Sequence, residues 1–162
     1  MKKRITMIIA TLMAASMLAG CSALSAEDFK DALEDATSDY TDAVKDLGEI
    51  MGDDPEDIDK GEVKEVLDEA KSALNTIKKL SAPKEIKDEF DAYCDYIDEY
   101  MLKELDLTYD YALAYIDEDD DKMEELQDEM KELLDDAAKD SDALTDLESE
   151  LLELIEEEEE DD

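Results

Sequence analysis

Residues 26–51 read AEDFKDALEDATSDYTDAVKDLGEIM. Their apolar positions, Phe29, Leu33, Ala36, Tyr40, Ala43, Leu47 and Ile50, follow one another at spacings of four and three. Side chains at that rhythm share one face of an α-helix, because 3.6 residues complete a turn, whereas a half-buried strand would alternate. Asp, Glu, Lys, Ser and Thr fill most of the other positions, so the opposite face is solvated. The stretch predicts a long amphipathic helix A that is stable only with its stripe buried against partners.

The same rhythm continues toward the C-terminus. Gly52 to Asp59, rich in Asp and holding Pro55, predicts a turn. Val63, Val66, Ala70, Ala73, Ile77 and Leu80 predict helix B over about residues 60–80, ended by Pro83, which pushes Ala82 out of helical geometry. Helix C is expected to run on to Ile116, with Ile86 and a seam of Phe90, Tyr93, Ile97, Tyr100, Glu104, Leu107, Tyr111 and Ala114. After an acidic turn at Asp117 to Asp121 comes the longest seam: Met123, Leu126, Met130, Leu133, Ala137, Asp140, Leu144, Leu147, Leu151 and Leu154. Asp140, Ser141 and Asp142 interrupt it, and all three are good N-cap residues, so a break and restart is expected there. With four Gly and two Pro in 162 residues, strands have little support. The expected fold is all-α, an antiparallel three- to four-helix bundle with long coiled-coil-like helices over residues 26–155. The seven consecutive acids from Glu156 to Asp162 are expected to be a disordered acidic tail.

Charge bounds the function. Asp and Glu number 53 against 16 Lys and Arg, a net charge of −37. Nucleic-acid binding is excluded as an expectation, because neutralising phosphates takes clusters of basic side chains. Docking on anionic headgroups is disfavoured for the same reason, while cations and basic partners are attracted. There is no His, no Gly-rich phosphate loop and no Ser in a nucleophile setting, so the chain is expected not to be an enzyme.

The N-terminus carries a different signal. Met1-Lys2-Lys3-Arg4 is followed by an apolar or small run from Ile5 to Leu18, the pattern of a cleaved export segment and too short to span a bilayer. Leu18-Ala19-Gly20-Cys21 then resembles the lipobox of bacterial lipoproteins. That resemblance implies cleavage between Gly20 and Cys21, with Cys21 bearing diacylglycerol and, where N-acylated, a further chain, an anchor that holds stably where one acyl chain would not. Residues 1–20 are thus read as a lipoprotein signal peptide and residues 21–25 as the lipidated Cys and a short tether of at most about 14 Å. The chain is expected at the extracytoplasmic face of the cell membrane, or in the outer membrane of a Gram-negative cell. The export segment holds three basic residues and no acid, so the remaining 142 residues carry −40. Ser81-Ala82-Pro83-Lys84-Glu85-Ile86-Lys87, with the aromatic-rich helix after it, is similar to a segment of small uncharacterised helical lipoproteins of Gram-positive bacteria, which implies no activity.

Three candidate features remain. Asp117, Asp119 and Asp121 match the first ligand positions of a calcium-binding EF-hand loop, with Lys122 where glycine is needed and Asp128 at the last position; Asp57 and Asp59 form a shorter fragment. Six of the seven tyrosines lie in helix C, where Tyr93, Tyr96 and Tyr100 are either core or an interaction strip. Cys94 reads as a small apolar filler. The expected function is a membrane-anchored interaction module for a protein with a basic surface. The alternative is a lipoprotein that binds divalent cations, Ca2+ among them, or a small solute.

Overall fold

The structure, a computed structural model, describes residues 24–140 and 142–160, apart from the side chains of Leu144 and residues 157–160. Six α-helical segments follow in order: α1 (Ala26–Ile50), α2 (Lys60–Ile77), α3 (Lys87–Tyr96), α4 (Leu102–Ile116), α5 (Asp120–Ala137) and α6 (Asp142–Glu160). Short 3-10 turns at Pro55–Asp57 and Lys84–Ile86 precede α2 and α3, and a π turn at Ile97–Met101 joins α3 to α4 without a break in the helix. There is no strand among the described residues. The fold is all-α.

α1, α2 and α5 each start where a side chain satisfies a free N–H group of the first turn. Ser25 accepts from the N–H of Asp28 at 3.2 Å, and its hydroxyl donates to the Asp28 carboxylate at 2.8 Å. Asp59 accepts from the N–H of Gly61 at 2.6 Å. A Cβ on Gly61 would lie 2.9 Å from that same carboxylate oxygen, so a larger residue there would displace the capping carboxylate. Asp119 caps α5 through the N–H of Lys122.

α1 packs most extensively on α2, α4 packs on both α2 and α5, and α6 packs on α3 and α1. Phe29, Leu33, Ala36, Ala43 and Leu47 of α1 are buried as the stripe requires. Phe29 meets Phe90 edge to face, ring centroids 5.2 Å apart, a geometry that adds to the burial of both rings. Leu147 and Leu151 of α6 complete the core. No charged side chain is buried among the described residues.

The structure departs from expectation at three places. In α2 Val63, Ala70, Ala73 and Ile77 are buried as expected, Leu67 and Leu74 join them, and Val66 is only half-buried. The inward face of α2 is thus wider than the predicted one, extended toward its two leucines. In helix C the buried stripe agrees through Ile97; beyond it Leu105 and Ala112 join the core in place of Glu104 and Tyr111, while Ala114 is buried as expected. The π turn causes the change, because it inserts one residue into the helical repeat. At the C-terminus, α6 continues through Glu160 and takes in five of the seven acids expected as a disordered tail. Glu propagates a helix well once the preceding turns are packed. The break expected near Asp140 is found, with α5 ending at Ala137 and α6 starting at Asp142.

Candidate functional site

The best-defined concavity lies where α1, α3 and α6 meet, a cleft of about 300 Å³. Helix α1 contributes Lys30, Leu33, Glu34 and Thr37, which lie one turn apart on the side of the helix next to the core stripe. Tyr93 of α3 closes the inner wall. Glu148, Leu151 and Leu152 come from α6, where Glu148 and Leu152 sit four residues apart along the rim. The floor is apolar and the rim is charged.

Tyr93 is the polar element of the inner wall. It is 3% exposed. Burial first, and then the neighbouring Tyr40, Cys94 and Glu148, push its hydroxyl up to about 12. That hydroxyl makes no hydrogen bond within the described residues. No side-chain oxygen or nitrogen wholly shut off from solvent lacks a partner there, so the Tyr93 oxygen keeps some access to solvent, on a residue that lines the cleft. At the mouth, Lys30 pairs with Glu34 at 2.8 Å, and Leu152 stands 55% exposed. Of these residues the sequence marked Leu33 and Leu151 by their seams and Tyr93 as a candidate interaction residue. Lys30, Glu34, Thr37, Glu148 and Leu152 carried no such mark until three helices converge.

The tyrosines expected to act together are divided. Tyr93 belongs to the core and the cleft. The rings of Tyr96 and Tyr100 touch, centroids 5.1 Å apart. Tyr100 lies in the π turn and donates to the Asp140 carboxylate in the break between α5 and α6, a bond that holds its hydroxyl up at about 12. Tyr111 accepts from Gln127 at 3.1 Å and ties α4 to α5. Tyr40 is raised by burial and by the nearby Glu104. The half-buried thiol of Cys94 is pushed up to about 11, chiefly by burial, which makes it a poor nucleophile.

The two acidic turns are brought together, but not as a metal site. Lys60 bridges them through an ion pair with Asp117 at 2.6 Å. Asp59 and Asp119 are the N-caps of α2 and α5, and Asp57 and Asp121 are exposed. No three acidic or thiol side chains converge as metal ligands among the described residues. Gly20 and Cys21 lie outside those residues, and none of the described helices is long and apolar enough to cross a membrane. Comparison with family models, with curated proteins and with solved structures finds no match to this chain.

Proposed function

We propose that the chain is a non-enzymatic, lipid-anchored interaction module at the extracytoplasmic face of the cell membrane, and that its partner is a protein with a basic surface. The module would be an antiparallel bundle of four arms: α1, α2, the continuous α3–α4, and α5 with α6. The anchoring half of this reading rests on Leu18-Ala19-Gly20-Cys21. The interaction half rests on one observation, that a chain of net charge −37 keeps every charged side chain out of the described core. The charge of the described residues stays outside the core, and a displayed field steers oppositely charged partners.

Two experiments test the two halves. Fractionation of cells expressing the native chain and Cys21→Ala should find the first in membranes and the second released, and equal membrane association of both would refute the anchor. Crosslinking on intact cells should then capture a protein whose recovery falls with added salt. Calcium titration calorimetry discriminates the alternative, because heat at micromolar affinity would favour a cation-binding protein over an interaction module.

A further inference from the structure

We propose that the cleft between α1, α3 and α6 is the docking site for a single large apolar side chain presented on a lysine- or arginine-rich segment of the partner. The inference deepens the reading above and rests on its basic partner. Three features of the cleft define what fits.

The first is apolar area without cover. Leu33 and Leu151 form the floor and are buried, but Leu152 stands 55% exposed at the edge. An incoming apolar side chain would cover Leu152 and seat on the apolar floor that Leu33 and Leu151 supply, which is how interface anchors act. The second is the Tyr93 hydroxyl, on a cleft-lining residue 97% buried, not wholly shut off from solvent and without a hydrogen bond in the described chain. It can donate to a carbonyl of a segment lying across the mouth. A polar group so placed lends direction to an otherwise apolar contact.

The third is charge. Glu148 has no ion-pair partner among the described residues, whereas Lys30, the one cation of the lining, is already held by Glu34. The rim therefore has a free carboxylate and no free cation, inside the field of a chain at −37. A second copy of the chain would bring the same charge against itself, so a basic segment is the fitting occupant. The volume of about 300 Å³ lies at the bottom of the range for small-molecule pockets, roughly 300–1,000 Å³, and suits one side chain better than a drug-sized ligand.

The test uses the full chain in discs of neutral lipid and two fluorescent lysine-rich nonapeptides of equal charge, one with a central Phe and one with Ala there. Phe should tighten binding about tenfold over Ala, from burial of the ring. Thr37→Trp, which fills the cleft from an exposed helical position, and Leu152→Asp, which removes its apolar edge, should each abolish that difference and leave the Ala peptide unchanged. Equal affinities on the native chain would overturn the docking site and leave the basic-partner reading standing. A preference for Phe that survives both variants would overturn it too. Failure of both peptides to bind at low salt would overturn the basic-partner reading itself. Sedimentation supplies one more outcome: a dimer that Thr37→Trp converts to monomer would make a second copy the occupant, against the proposal.

Discussion

Glu118 carries the single non-glycine positive φ of the described chain, 54°, a region where side chains other than Gly, Asn and Asp are uncommon. It sits where α4 ends. The N–H of Glu118 bonds to the carbonyl of Tyr115 and that of Asp119 to the carbonyl of Ala114, the paired bonds of a left-handed helix C-terminus. Glycine relieves the Cβ crowding there, so Glu118→Gly should raise stability by about 0.5–1 kcal/mol in urea unfolding, and a loss would contradict the strain. Tyrosine ionisation gives a second prediction at this scale. Tyr93 and Tyr100 both reach about 12, the first by burial and the second by its bond to Asp140, against about 10 in an unfolded chain. Raised values mean that the stabilisation is complete below pH 10 and is lost as pH climbs through 12. For Tyr93 the loss is on the order of 2–3 kcal/mol. Tyrosinate absorbance should therefore show a late step in the folded protein. Asp140→Asn should move Tyr100 back toward 10 and leave the Tyr93 step in place. A single step near 10 for all seven tyrosines would refute both assignments.

Among the elements, the π turn at Ile97–Met101 decides which face of α4 is buried. Continuing the α3 stripe in α-helical register would carry Glu104 into the core, where an unpaired carboxylate costs several kcal/mol. One inserted residue brings Leu105 to the core instead. Deleting Glu99, an exposed residue of the turn, leaves Leu105 seven positions after Ile97, an ordinary α-helical spacing, so the π turn should become α-helix with Leu105 still in the core and Glu104 still outside it. The expected result is a melting temperature within about 5 °C of native, with Glu99→Ala as the control. A deletion variant melting more than about 10 °C lower would show that the turn does not absorb one inserted residue. α5 is the lightly held element, with Leu126 and Ala137 its buried residues and α4 its main neighbour. Its amides should exchange with deuterium faster than those of α1 and α2, and equal protection would count against this. These elements also mark what the sequence could convey. The stripe of α1 and the break after Asp140 were legible, because spacing and N-cap chemistry are local. The π turn was not legible as such, though Glu104 in an apolar seam was its visible symptom. In α2 two apolar faces overlap, and only the neighbouring helices choose Leu67 and Leu74 over Val66. Of the cleft only Tyr93 was marked as a candidate by its residue type, and its meeting with Thr37 and Glu148 had no local signature, since it comes only through tertiary packing.

For the whole molecule, self-repulsion is the dominant electrostatic fact. The ion pairs found are partly exposed, and several, such as Lys64 with Asp68 and Lys87 with Asp91, lie within one helix, where solvent screening leaves each of little weight. Lys60–Asp117, Lys71–Asp106 and Lys78–Asp98 join different elements, but they too stand at the surface. Against them stand 53 acids on 162 residues. At about 0.01 M salt the screening length is roughly 30 Å and at 0.1 M about 10 Å, so low salt lets acids on separate helices repel one another and moderate salt confines the repulsion to near neighbours. The melting temperature should therefore rise by several degrees between those two concentrations. Magnesium at matched ionic strength should give a similar, non-saturating rise. A flat response would mean that the charges are too far apart to matter, and saturation at micromolar calcium would mean a specific site. The same screening acts with opposite sign on a basic partner, whose association is accelerated by the field that strains the fold. Stability and partner association should thus move in opposite directions as salt is added, while the contribution of an apolar anchor in the cleft should hold nearly constant. Measuring the Phe and Ala peptides across that salt range separates the two: their affinities should fall together, with the ratio between them unchanged.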